Sequence, residues 1–266
     1  MSTATQPVTT LDISGTSRIP FSTLTRVELR KSYDTRAGLW LLAITAALAT
    51  IAMFLVLIIV VVQDNPISLG DFVATTAYSS SFLLPVLGIL LVTSEWSQRT
   101  AMVTFTLEPH RARVIAAKLV AGLLLAGAVA LVATIAAFLA NLLYAALQGS
   151  PDWEFGWLPF LGFLAGQAIA MLTGFAFAAL FLNSPAAIVV YFAYGWILPP
   201  LFAVGAQFIG WFSDVQPWID FTAAQGPMRE GSMQGEDWSH LLVSGFIWLV
   251  IPLSFGLWRI LRAELK

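Results

Sequence analysis

The run from Leu39 to Val62 reads LWLLAITAALATIAMFLVLIIVVV, 24 residues without one charge. As a helix it would extend about 36 Å, enough to cross a hydrocarbon core of about 30 Å. The polar QDNP at Gln63 to Pro66 closes it. Working outward, further apolar runs follow from Asp71 to Thr93, Val114 to Leu147, Leu158 to Leu182, Ala186 to Phe212 and His240 to Leu257. Composition agrees: 58% of the 266 residues are hydrophobic and 11% charged, against roughly 25% charged in soluble domains. We expect an all-α integral membrane protein with a transmembrane domain over residues 38–258. Its spans would be 38–62, 71–93, 114–147, 158–182, 186–212 and 240–258.

Lys and Arg set the orientation, because cytosolic flanks retain them. Arg18, Arg26, Arg30, Lys31 and Arg36 precede the first span. Arg99, Arg111, Arg113 and Lys118 surround the second-to-third connection, and Arg259, Arg262 and Lys266 follow the last span. With six spans, twelve of the thirteen cations share one side, and Arg229 alone falls in an opposite-side loop. The expectation is a multi-pass protein of the cell (plasma) membrane, N-in and C-in. Trp40, Trp96 and Trp258 mark inner ends of spans; Trp153, Trp157, Trp211, Trp218 and Trp238 mark outer ends.

The flanking segments are short. Residues 1–17 lack the basic start and apolar run of a signal peptide and read as a disordered cytosolic tail. Residues 259–266 read as a second one. Residues 18–37 contain IPFSTLTRVELRKSY, a candidate amphipathic cytosolic helix. Arg26 and Arg30 share one of its faces, with Phe21 and Leu24 roughly opposite; a basic stretch attracted to anionic lipid fits the same residues.

Three spans have irregularities. The third run, 34 residues, exceeds the core and must tilt, kink or project. Asn183-Ser184-Pro185 is a tight turn in which Ser184 can cap the next helix and Pro185 can start it. Pro199-Pro200 in the fifth run predict a break near Leu198 and a short re-entrant segment. The polar segment 213–239 then lies outside the membrane.

Several chemistries find no support. Without cysteine there is no thiol catalysis or disulfide. His110 and His240 lie in different loops, so no metal cluster forms around them. There is no P-loop and no G-x-S-x-G elbow. We expect no enzyme activity and no bound cofactor or metal in this chain, and nothing points to nucleic acid. The spans hold almost no ionisable group, which argues against a proton-driven carrier.

The stretch from Ser94 to Arg113, SEWSQRTAMVTFTLEPHRAR, is far longer than a connector needs. Glu95 and Arg99 stand four residues apart; Pro109, Arg111 and Arg113 follow, with Lys118 in the next run. An amphipathic surface loop is one reading. A short docking helix gripping a cytosolic partner is the other.

The stretch resembles the coupling segment of ABC exporter permeases of the second structural type (the ABC-2 membrane protein family). Those permeases show Glu, then a small or basic residue and Thr, then Pro-x-Arg and a Lys opening a long third helix. Glu95, Arg99, Thr100, Pro109, Arg111 or Arg113, and Lys118 match. The departure is Arg99, where a glycine often stands. The resemblance also implies the cytosolic helix before the first span, a coupling helix between helices two and three, and a re-entrant segment between helices five and six. It implies a permease subunit paired with a second one, identical or similar, above two cytosolic P-loop ATPase subunits that hold ATP and Mg. Contact with that ATPase would fall on Glu95, Trp96, Arg99, Thr100, Pro109, Arg111, Arg113, Arg26 and Arg30.

Ser80, Asn141, Gln167, Tyr191 and Tyr194 are polar or aromatic positions inside the spans and candidates to line a substrate path. Membrane lipid would surround the whole. Gly162, Gly166, Ala170, Gly174 and Ala178 recur every fourth residue and suit close helix packing, within the chain or between copies. A membrane-embedded scaffold and an ion-driven secondary carrier are the alternative functional readings.

Overall fold

A computed structural model describes residues 18–262; the tail read over 1–17 and residues 263–266 lie outside them. Every regular element among the described residues is helical. Six helices are long and apolar enough to cross a membrane: Arg36–Gln63, Leu69–Ser97, Arg111–Gln148, Trp157–Phe181, Ser184–Phe208 and Gly235–Arg262. This is the architecture of an all-α multi-pass membrane protein.

In chain order the helices are α1 (Phe21–Asp34), α2 (Arg36–Gln63), α3 (Leu69–Ser97), α4 (Ala101–Leu107), α5 (Arg111–Gln148) and α6 (Trp157–Phe181). Then come α7 (Ser184–Phe192), α8 (Leu198–Phe208), α9 (Gly210–Ile219), α10 (Phe221–Ala224), α11 (Gly226–Glu230), α12 (Gly235–Gly245) and α13 (Ile251–Arg262). Residues 259–262, read as the start of a tail, are the last turn of α13.

Local chemistry fixes the helix ends. Ser68 and Asp71 form a capping box that starts α3 at Leu69, two residues before its apolar run. At the tight turn the cap is Asn183, one residue earlier than expected; its side chain accepts from the Ala186 amide at 3.0 Å. Ser184 instead turns its hydroxyl to Thr93 and Ser97 of α3, at 2.7 and 3.1 Å.

The break expected at Pro199-Pro200 does not occur. A π-helical turn over Ala193–Ile197 joins α7 to α8, and the Leu198 amide reaches back five residues to the Ala193 carbonyl. This widened turn puts both prolines in the first turn of α8, where a missing N–H costs little. The chain instead folds back at Ile209, where Phe212 of α9 packs on Gly205 and Phe202 of α8. The sixth span repeats the device, with a π turn over Phe246–Val250 ahead of Pro252.

The most extensive helix pair is α3 with α6. A Cβ on Gly174 would collide with the Pro85 carbonyl, and one on Gly162 with the Met228 carbonyl. The small-residue stripe of α6 therefore serves packing within the chain. α5 is one unbroken helix of 38 residues, about 57 Å long. Its first turns pack against α1, which accounts for its excess length.

Candidate functional site

Where α1, the end of α3, α4 and the start of α5 converge, four charged side chains form one cluster. Glu28, Glu95 and Lys118 are each no more than 5% exposed. The Lys118 ammonium lies 2.6 Å from Glu28 Oε2 and 3.3 Å from Glu95 Oε1, and donates to the Leu91 carbonyl at 3.1 Å. Lys31 bridges the same two acids, at 2.7 Å from Glu28 and 2.6 Å from Glu95. Thr104 of α4 donates to Glu95 Oε1 at 3.0 Å. Two carboxylates thus face two ammonium groups, and the cluster is neutral. Burial alone would disfavour the Lys31 ammonium; Glu28 and Glu95 outweigh it and hold its pKa above the ordinary value.

Sequence spacing explains the geometry. Glu28 and Lys31, three apart, share a face of α1. Glu95 sits two residues before the end of α3, and Lys118 is seven residues into α5. A charge at the apolar end of a span must find a partner, and both find it on α1. The residues missed by sequence reading are Glu28 and Lys31. Their signal was the isolation of Glu95 and Lys118, one acid and one base on adjoining spans.

Beside the cluster runs a groove of about 720 Å³, bordered by α1, the start of α2, the end of α3 and α4. Leu24, Val27, Leu87 and Val103 supply apolar wall, and Glu28, Lys31 and Glu95 the polar part.

The expected partner-contact residues divide in two. Glu95 is enclosed by its own chain and is not available to a partner; its carboxylate fastens α1 and α4. Arg113 reaches Glu108 Oε2 at 2.7 Å and the Ile19 carbonyl at 2.7 Å, tying the start of α5 to the lead-in of α1. Arg111 donates to the Ile260 carbonyl at 3.1 Å, near the end of α13, and lies over the Phe105 ring. Trp96 is half-buried against the core. Arg26, Arg99, Thr100 and Pro109 are exposed, as is Arg30, paired with Asp34 at 2.7 Å. Arg99 adopts φ 57°, the left-handed conformation that glycine takes most easily. It ends α3 and lets Thr100 begin α4.

The outer residues of α4, Met102, Val103 and Leu107, are uncovered. A seven-residue helix with an apolar outer side, bolted to the bundle through Thr104 and Glu95, is a surface on which another protein can sit.

The candidate path residues also divide. Gln167 donates to Ser80 Oγ at 2.9 Å. The Tyr191 hydroxyl lies 3.5 Å from the Ser81 carbonyl. Tyr194 packs its ring on Phe177 and Trp248, at 5.4 and 4.9 Å between centroids. These four gather where α3, α6 and the fifth span meet. Asn141 stands apart: its amide holds the Asp152 carbonyl at 2.9 Å in the loop before α6.

Comparison with protein-family models and with curated proteins finds no match.

Proposed function

We propose that the chain is the permease subunit of an ATP-driven exporter, similar to ABC permease subunits of the second structural type. Two copies would form the substrate path in the plasma membrane, N-in and C-in. Two cytosolic ATPase subunits would bind ATP and Mg and perform the hydrolysis; this chain carries no catalytic group for it.

The observation that carries this reading is the union of α4 with α1. A short helix between the second and third spans exposes Val103 and Leu107, 59% and 70% uncovered. Through Glu95 it shares one buried ion cluster with the helix before the first span. A push on α4 would pass to α1, α3 and α5 together, because the cluster links all four. That suits rigid-body gating driven from a subunit beneath the bundle. A re-entrant segment between the fifth and sixth spans would correspond to α9, which folds back on α8 before the last span.

The test is co-purification in mild detergent. The wild type brings down a P-loop ATPase in equal amount. Val103→Asp with Leu107→Asp releases it while the melting temperature of the chain is unchanged, since both side chains are exposed. A wild type that carries no ATPase, even after gentle crosslinking, overturns the reading and leaves the scaffold and the ion-driven carrier.

A further inference from the structure

A second cavity, of about 380 Å³, lies at the opposite end of the bundle from the ion cluster, between the first halves of α3 and α6 and bordered by α11. Asp71 and Glu154 stand at its outer end, in the first turn of α3 and the loop before α6. Tyr78, Ser81 and Gln167 line it further in.

Arg229 reaches in from α11. Its Nε lies 3.7 Å from where a Cβ on Gly166 would stand, and its guanidinium carbon 5.8 Å from the Tyr78 ring centroid. Gly166 is nine residues beyond Trp157, so the guanidinium stands about 13 Å along α6 from its first residue. Arg229 donates to Gln225 Oε1 at 3.2 Å. No ion pair joins it to a carboxylate among the described residues. A cation set between spans without a counter-ion is expensive, and such residues mark binding sites and pathways.

A second observation points to a ligand. Gln167 is 2% exposed, and its Oε1 has no donor; its Nε2 is engaged by Ser80 and Ala77. The inner part of the cavity therefore holds a guanidinium with no carboxylate in ion-pair range among the described residues, beside a glutamine whose buried oxygen has no donor. The outer part differs: Asp71 caps Ser68, while Glu154 and Glu230 are exposed acids. Val73, Phe160 and Phe163 supply apolar wall between.

We propose that this cavity binds the headgroup of a zwitterionic amphiphile, with its phosphate on Arg229 and its ammonium towards Glu154 and Glu230. A guanidinium pairs with phosphate through two parallel hydrogen bonds. The acids at the mouth disfavour a ligand of net negative charge and favour an ammonium. Apolar walls take the carbon chain. The cavity is within the range of small-molecule sites. The inference goes beyond the permease reading and needs no ATPase.

The experiment is native mass spectrometry of the full chain released from maltoside micelles and titrated with short-chain lysophosphatidylethanolamine. Inorganic phosphate and the matching lysophosphatidylglycerol are the comparison ligands. The ethanolamine lipid binds best and 10 mM phosphate does not displace it. Arg229→Gln weakens it by about tenfold. Glu154→Gln, at an exposed position that folding does not need, cuts the preference for the ethanolamine over the glycerol headgroup about threefold. Displacement by phosphate makes this a simple anion site and overturns the proposal. So does affinity unchanged within twofold in Arg229→Gln, or a headgroup preference that Glu154→Gln leaves intact. Binding is read on the chain alone, so its failure leaves the permease reading standing, and a missing ATPase leaves the binding result standing.

Discussion

The two ends of this bundle handle charge on opposite plans. At the α1 end, Glu28, Glu95, Lys31 and Lys118 satisfy one another within 3.3 Å, and Leu91 and Thr104 complete their hydrogen bonds. At the other end Arg229 has a glutamine amide and an aromatic face, and no carboxylate within ion-pair distance among the described residues. Glu28, Glu95 and Lys118 are buried, whereas Arg229 is half-buried at the edge of its cavity. A closed, neutral cluster joins elements and leaves nothing over for a ligand. An open, unbalanced one contributes little to folding and keeps its capacity for binding. Structure and function are thus separable by charge balance, and substitutions can test the separation.

The largest effect is expected at Lys118. Lys118→Met leaves Glu28 and Glu95 buried with one ammonium between them. Removing one partner of a buried pair costs about 3–5 kcal/mol, read as a lower melting temperature in detergent. Adding Glu28→Gln restores neutrality and should recover more than half of the loss. A Lys118→Met protein that melts like the wild type would break the comparison at its stronger side. The raised pKa of Lys31 gives the matching pH statement. A group held above its ordinary value contributes fully below that value, here 10.5, and loses its contribution only as pH rises further. The melting temperature should therefore show no Lys31 step between about pH 7 and 9.

Thr104→Val comes next. It removes one hydrogen bond to the Glu95 carboxylate while keeping side-chain volume, at about 1–2 kcal/mol. The loss is local, because Lys31 and Lys118 still balance the acids. Amide exchange should quicken in residues 101–107 and remain unchanged in the middle of α3. Equal quickening in both would mean that α4 is held by something other than this bond.

What could be read in the sequence follows the same division between local and distant causes. The six membrane-length helices were legible because an apolar run of sufficient length has few alternatives. The small-residue stripe of α6 was legible as close packing, but not its neighbours, the Pro85 and Met228 carbonyls. Pro199-Pro200 misled because the rule against interior proline assumes regular α-helix around it, and the π turn over Ala193–Ile197 supplies a different spacing. Glu95 drew attention as part of a partner-binding stretch. Its burial depends on Glu28 and Lys31, 67 and 64 residues earlier, and no local pattern carries a contact of that span. Arg229 was visible as the lone cation of an opposite-side loop. Its depth comes from the packing of α11 on α6, which polar composition alone does not describe.

Arg229→Gln measures the weaker side of the comparison. The substitution breaks no ion pair and loses one hydrogen bond to Gln225. Stability should change by less than about 1 kcal/mol, in either direction, against the several expected at Lys118. A loss as large as that of Lys118→Met would show that Arg229 is a structural cation after all.

Arg30→Ala sets the floor. Arg30 and Asp34 lie 2.7 Å apart, as close as the pairs of the buried cluster, yet their side chains are 72% and 50% exposed. Asp34 lifts the guanidinium pKa further above its already high value, first through the hydrogen bond and then through its charge. Water and salt screen such a pair, and holding two long side chains in place offsets the rest. The expected outcome is an unchanged melting temperature at 0.15 M salt. If Arg30→Ala lowers it as Thr104→Val does, distance rather than burial governs these contacts. The contrast between the two ends of the bundle would then need another physical basis than charge balance in a dry site.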